Sequence, residues 1–455
     1  MILNNLIGVL SALRYNNKII LVVISIITAA LIVDTALIKI YDLISKQSTS
    51  SWSIVVFIVI SATYIIGQYF VLEFVKQKSM GIRTRKELHL NTIHKMVTVV
   101  QYVLGVILVF VILQIVVMSH YNIVLLTAVT AISYTLAITM MVLLAQRFFS
   151  WFKLNKNIVV LLYGLSSTII AVNAVFSLVF VSEILLAKPT EIGPFTSGTV
   201  LFIEPGSATA ILNYAYVISS ITSFFLTWGA TTLLLRHYSR RLGRVKYWII
   251  VSIPLAYFLS QFLTLSLNLF EPLLISNPAF FGILLTLSFS LSKPAGGILF
   301  GVAFWTVARK LSHNNIVRNY MIISAYGFLL LFVSNQAIVL VSVPYPPFGL
   351  VTILFMGLSS YLILIGIYSS AVSVAHDVKL RQSIRKAVEQ QSELLGNIGT
   401  AQMEQELQKR VIRFVKEHSD KMTEETGVQS SVAEDDMKQY LNEVLTEIKK
   451  VPHKQ

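Results

Sequence analysis

The sequence predicts an all-α protein, a polytopic helical membrane bundle of about ten transmembrane helices followed by a small helical cytosolic tail. Three observations carry this prediction. Hydrophobic residues make up 55% of the 455 residues and charged residues only 13%, about half of the ~25% charged fraction of an ordinary globular chain. Ten apolar runs are long enough, at ~1.5 Å per helical residue, to span most or all of a ~30 Å hydrocarbon core. Lysine and arginine are frequent in every second connection between these runs and rare in the others.

The apolar runs come in order along the first four-fifths of the chain and define a membrane domain at residues 1–371. Each run is uncharged or nearly so and is read as one transmembrane helix. The runs are Ile19–Ile38, Ile54–Val75, Met96–Met118, Ile123–Ala145, Ile158–Val181, Ile211–Leu235, Tyr247–Leu269, Phe280–Ala308, Tyr320–Val343 and Gly349–Ala371. Residues 372–455 form the predicted tail.

Lysine and arginine are concentrated in alternate connections of the membrane domain. The connections after the second, fourth, sixth and eighth runs hold 17 of these residues, and the opposite connections hold three. A missed or invented span would invert the later half of this pattern. By the positive-inside rule, the alternation predicts a multi-pass protein of the cell membrane whose N- and C-termini are both cytoplasmic. It also explains the net charge of +14 without nucleic acid as a partner; the partner that the composition implies is the lipid bilayer.

The eighth run contains a basic residue and helix-disrupting residues near its middle. Lys293 there costs about 2.5–3.5 kcal/mol on membrane-insertion scales, so its side chain must face protein or water. Pro294 removes a backbone hydrogen bond, and Gly296 and Gly297 loosen the helix. These four residues are therefore the candidate intramembrane functional residues, and the sequence leaves open whether their span is continuous, kinked, broken or re-entrant.

Two interpretations of this segment stay open. In the functional interpretation, Lys293 meets an anionic substrate or a carboxylate at a binding or gating point, and Asp34 in the first run is a candidate partner and a fifth candidate residue. In the structural interpretation, the segment is a turn with Lys293 near an interface. The spacing of Gly297 and Gly301 also predicts close approach of a neighbouring helix.

The sequence shows no pattern typical of an enzyme. Its eight histidines are dispersed and it has no cysteine, so neither a metal site nor a thiolate ligand set is expected. No phosphate-binding, dinucleotide-binding, metalloprotease or nucleophile-elbow motif occurs. We therefore expect no catalytic residues, no cofactor and no bound metal.

The tail is predicted to be helical in three pieces. A juxtamembrane helix covers 372–395, and helices follow at about 400–425 and 432–450. Glycines at 396 and 399 are expected to end the first piece, and Ser431 with Glu434 forms a capping box for the third. Both later helices carry an apolar stripe, so the tail is a candidate small bundle, oligomerising coil or docking element for a cytosolic protein.

The boundary between membrane domain and tail is predicted to be rigid. No glycine or proline lies between Ile367 and Lys386, so the last span is expected to continue into the cytosol as one helix. His376, Asp377, Arg381 and Arg385 begin its charged part and are the candidate signal-transmitting residues. His376 and Asp377 are read as a solvated pair because no kinase motifs follow them.

The tail sequence also carries a family resemblance. The segments VSVAHDVKLRQSIRKAVEQQSELLGNIGTAQMEQELQKRV and SVAEDDMKQYLNEVL resemble the cytosolic end of a multi-copy family of multipass membrane proteins of ammonia-oxidising archaea. That family has no assigned activity, so the resemblance implies a multipass membrane protein and supplies no site residues. The layout is also similar to the membrane sensor modules of two-component receptors without their kinase.

The leading hypothesis is a membrane-embedded sensor or adaptor, in which the bundle detects a cue and the last span transmits it to the tail. A secondary transporter or channel that uses the span around Lys293 is the first alternative. A structural scaffold whose tail forms a homo-oligomer is the second.

Overall fold

The computed structural model describes residues 17–44, 51–83, 88–194, 206–237, 239, 242–266, 276–311, 316–336, 344–376 and 393–426. The described residues form an all-α protein with 11 helices, joined by one pair of two-residue strands. Ten of these helices are long and apolar enough to cross a membrane. The predicted fold class is therefore confirmed.

The first ten helices each overlap one predicted run, and the eleventh lies in the tail. They are α1 Asn17–Ile44, α2 Ser51–Arg83, α3 Leu88–Met118, α4 Ile123–Leu154, α5 Ile158–Leu186, α6 Ala208–Leu235, α7 Arg244–Ser266, α8 Pro278–Lys310, α9 Ile316–Ser334, α10 Leu350–His376 and α11 Glu393–Thr426. Strands β1 Tyr121–Asn122 and β2 Glu191–Ile192 pair antiparallel. We call the end of the bundle where α4 and α10 finish the tail-side end.

Small polar residues start several of the helices. The side-chain oxygens of Asn122, Asn157, Ser207 and Asn277 accept hydrogen bonds from the first-turn N–H groups of α4, α5, α6 and α8. Such caps matter because the first four N–H groups of a helix have no partner within it. Each of these four helices therefore begins at a residue whose side chain replaces the missing carbonyl.

Helix α10 is the centre of the bundle. Every residue in its most apolar stretch is buried, whereas only 22% of the corresponding stretch is buried in α7 and 33% in α1 and α3. α10 packs against α9, α4 and α2, and also contacts α1, α3 and α11. The peripheral helices instead expose apolar side chains such as Val99, Val106 and Phe110 on α3, which suits a protein whose solvent is lipid.

Helix α8 runs without interruption from Pro278 to Lys310, with Pro294 inside it. Of the alternatives that the sequence left open, the broken and the re-entrant span are therefore ruled out. The glycines instead allow close packing against α9: a methyl group added at Gly297 would lie 2.9 Å from the Leu329 carbonyl oxygen, and one at Gly301 would lie 2.9 Å from that of Ala325. The prediction that a neighbouring helix approaches Gly297 and Gly301 closely is confirmed.

The tail helix differs from its predicted form. α11 begins at Glu393 and passes through both glycines, so the predicted break at 396 and 399 is wrong. At Gly399 the helix lies against α10, where a methyl group would come within 2.7 Å of Val374 Cβ. Packing against α10 thus outweighs the weak helix propensity of glycine. The predicted helix at 432–450 and most of the predicted juxtamembrane helix lie outside the described residues.

Candidate functional site

The described parts of the connection between α9 and α10 are buried in the bundle. α9 ends at Ser334, well before the predicted end of the ninth run at Val343. Residues 335–336 and 344–349 are non-helical yet buried, and we call these described residues the α9–α10 junction. Non-helical backbone at membrane depth is tolerated only where protein or enclosed water surrounds it. Two helix ends must therefore find partners for their free backbone groups within the protein.

Lys293 of α8 supplies a partner for the end of α9. Its amine donates hydrogen bonds to the backbone oxygen of Asn335 and, at 3.2 Å, to the hydroxyl of Tyr216. The Lys293 side chain is 7% exposed, and its Nζ lies 5.3 Å from the centre of the Tyr216 ring. A basic group at the C-terminal end of a helix interacts favourably with the helix dipole. Lys293 therefore caps α9 from a neighbouring helix.

Asp34 of α1 supplies the complementary partner at the start of α10. One carboxylate oxygen accepts from the Gly349 N–H at 2.8 Å. The other accepts from the Thr352 N–H at 3.0 Å and from the Thr352 hydroxyl at 2.9 Å. Asp34 is fully buried. It acts as an N-cap from a distant part of the chain, because an acidic group at a helix N-terminus bonds the free N–H groups and matches the dipole.

Lys293 and Asp34 thus serve the same junction without pairing with each other. Among the described residues, no ion pair includes either of them. The Lys293–Asp34 pairing considered from the sequence is not formed. Each charge instead holds one of the two helix ends that flank the junction.

Several polar atoms beside the junction have no partner within the described residues. The buried side-chain oxygens concerned are Ser290 Oγ, Ser334 Oγ, Asn335 Oδ1 and Gln336 Oε1. Each such atom costs on the order of 1–3 kcal/mol when buried unsatisfied. The junction therefore gathers buried polar side chains at the place where two helices end.

The remaining candidates of the eighth run take part in packing. Pro294, Gly296 and Gly297 are all buried. Gly296 faces the ring of Phe224, which stacks on Phe258 with ring centres 3.9 Å apart. A side chain at Gly296 would displace that ring. These residues therefore shape the surroundings of Lys293 and bring no polar group of their own.

Helix α11 docks on the tail-side end of the bundle through polar contacts. The Trp151 indole N–H donates to Gln402 Oε1 at 3.0 Å, and Asn155 Nδ2 donates to Asn397 Oδ1 at 2.7 Å. His376 Nδ1 lies 3.5 Å from the Glu406 carboxylate. α11 therefore contacts the ends of both α4 and α10. The sequence reasoning missed this contact, because nothing in α11 indicates which helix ends it meets.

Only one of the four candidate signal-transmitting residues can be placed. His376 ends α10 and faces α11 through Glu406. Asp377, Arg381 and Arg385 lie outside the described residues. The predicted rigid continuation of α10 falls on the same stretch and is likewise outside them.

Comparison with known proteins assigns this chain to no family. No family model, no curated protein and no solved structure matches the chain. The fold defines the class, a multipass helical membrane protein. The resemblance of the tail to the archaeal family stays a prediction.

Proposed function

We propose that the protein is a membrane sensor or adaptor in which α10 carries a conformational change from the α9–α10 junction to α11 on the cytoplasmic side. The observation that carries the proposal is the enclosure of α10. Its most apolar stretch is fully buried, its first turn is held by Asp34, and its last residue faces Glu406 of α11. A helix with both ends engaged couples the two ends of the bundle.

The junction is the input end of this proposal. It holds buried polar oxygens that have no partner within the described residues, and closely packed interiors switch between discrete arrangements rather than deforming smoothly. A cue that rearranges or hydrates the junction changes how Asp34 holds the start of α10. Because α10 has 27 residues, a shift at one end is felt about 40 Å away.

The output end is the face between α10 and α11. Gly399 lies against Val374, so a shift or rotation of α10 displaces α11 directly. This route differs from transmission along one continuous helix, since it uses side-to-side contact. The tail then presents or hides a surface for a cytosolic partner.

The proposal is tested with a cysteine pair at the output end. The chain has no native cysteine, so Asn155→Cys with Asn397→Cys reports only the contact between α4 and α11. Asp34→Asn keeps the shape of the cap and removes its charge. In nanodiscs we expect Asp34→Asn to slow disulfide formation about fivefold, the effect of roughly 1 kcal/mol in the docking equilibrium.

Gly229→Ala is the matched control, because a methyl group there meets nothing within 4 Å. It should leave the rate of disulfide formation unchanged. An Asp34→Asn protein that is folded and crosslinks at the unaltered rate would argue against coupling through α10.

Transport through the region of Lys293 is the second candidate function. The observation that favours it is a buried amine that has, among the described residues, only neutral hydrogen-bond partners. In proteoliposomes, Lys293→Ala should abolish the flux of an anion or amine, while the exposed Arg309→Ala at the end of α8 retains it. Wild-type protein that moves none of the solutes tested would count against a transporter or channel.

A further inference from the structure

The second half of helix α11 carries an apolar stripe that the described part of the chain leaves partly exposed. The first half of the helix is docked, with Leu394, Ile398 and Ala401 buried. Its second half departs from the bundle, leaving Leu407 44% exposed and Phe414 59% exposed. Val411 and Val415 lie on the same face and are half-buried. An apolar stripe of this length on a charged helix calls for a partner.

We propose that residues 431–450 fold back as an antiparallel helix over this stripe and close a helical hairpin with α11. The sequence of this segment has helix-start and helix-stop signals and one apolar face. That face consists of Met437, Tyr440, Leu441, Val444, Leu445 and Ile448. The inference does not depend on the signalling function proposed above.

The length of the connection supports this occupant. Only residues 427–430 separate the end of α11 from the segment, and connections of two to eight residues typically join antiparallel helices. A tight return brings residues 437–448 level with residues 409–420. The apolar face of the segment then lies opposite Val411, Phe414 and Val415, and its last member, Ile448, comes close to Leu407.

Charge complementarity supports the same register. Arg410 is exposed at the edge of the apolar stripe of α11, and Arg413 is exposed further round the same side of the helix. In the tight return, Glu447 comes level with Arg410, and Glu443 comes level with the turn that holds Arg413. Both carboxylates then flank the hairpin on the side of the two arginines, where opposite charges set partner choice and orientation.

A second copy of α11 fits the stripe less well. Pairing two α11 helices would bring together two copies of residues 407–418, each with four basic residues and one acidic residue, and net like charge opposes association. The segment 431–450 has five acidic and three basic residues. Its net negative charge therefore suits this face, whereas another α11 does not.

Cysteine crosslinking of the full chain in nanodiscs tests the hairpin. Val411→Cys with Leu445→Cys should form a disulfide within one chain, seen as a faster-migrating monomer that reverts on reduction. Val411→Cys with Thr446→Cys is the matched control, because position 446 lies on the opposite face of the predicted helix. Equal crosslinking of the two pairs, or none in either, would overturn the proposal.

A charge exchange tests the register. Arg410→Glu should lower the yield of the 411–445 disulfide, and adding Glu447→Arg should restore it. A yield indifferent to both changes would contradict the register.

The same variants identify the other occupants. A disulfide formed between chains from Val411→Cys alone would assign the stripe to a second copy. An environment-sensitive dye at Phe414→Cys that responds to anionic lipid and not to deletion of 431–450 would assign it to the bilayer. Either result overturns the hairpin.

Discussion

Lys293 and Asp34 show what a single residue in an apolar run can and cannot reveal. A charge inside a span is conspicuous in the sequence, because it must find a partner or face water. The partners, however, are backbone groups at helix ends, 42 residues from Lys293 and 315–318 residues from Asp34. No spacing rule links positions so far apart. The residues were therefore predictable as special, and their roles as helix caps were not.

Replacing Lys293 should measure how much its cap on α9 contributes to the stability of the protein. Lys293→Met keeps most of the side-chain volume and leaves the Asn335 carbonyl without its donor. We expect a loss of about 1–3 kcal/mol in stability, because a buried acceptor becomes unsatisfied. Thermal unfolding in detergent is the measurement.

Tyr216→Phe is the matched control for Lys293→Met, since it removes only one of the two hydrogen bonds of the amine. Its unfolding temperature should fall less. A Lys293→Met protein as stable as the wild type would show that the cap contributes nothing.

The helices themselves illustrate where local preference ends. Their existence followed from apolar runs, and all ten membrane helices were predictable. Two details were not, namely the uninterrupted α8 and the uninterrupted α11. In both cases glycine or proline indicated a break, and in both a neighbouring helix packs on the glycine, at Gly297 and at Gly399. Local sequence reports the weakness of a helix but not the neighbour that supports it.

Two glycine substitutions should have opposite effects on stability. Gly297→Ala places a methyl group 2.9 Å from the Leu329 oxygen, and overpacking of this kind costs about 1–3 kcal/mol. Gly229→Ala adds its methyl group in open space and should stabilise α6 by up to about 1 kcal/mol through helix propensity. Chemical denaturation of both variants checks the signs. Equal effects would rule out close α8–α9 packing as the reason for Gly297.

The packing arrangement of the ten helices in the whole bundle could not be predicted from the sequence. Ten spans were predictable because lipid requires every backbone group to be satisfied inside a helix. That the last span occupies the centre was not, since α9 and α10 have apolar residues all round and so do the peripheral helices. Which apolar faces meet protein rather than lipid depends on long-range packing, and no side-chain pattern marked α10 as central.

The orientation of the bundle in the membrane is a prediction of the basic connections. Thr190 follows the end of α5 and Lys153 lies in the last turn of α4, so these two exposed residues mark opposite ends of the bundle. In intact cells, a membrane-impermeant thiol reagent should label Thr190→Cys, and it should label Lys153→Cys only after permeabilisation. The reverse pattern would invert the topology and place α11 outside the cell.

The central position of α10 also bears on how the protein is made. A ribosome produces the chain from its N-terminus, so the most deeply buried of the ten spans is the last of them to reach the membrane. The other nine spans therefore cannot complete their packing until residues 350–376 have been inserted. A chain truncated before residue 350 would keep nine hydrophobic spans but lack the helix on which they pack. We expect such a chain to insert into the membrane without completing its core, and to be degraded by quality-control proteases.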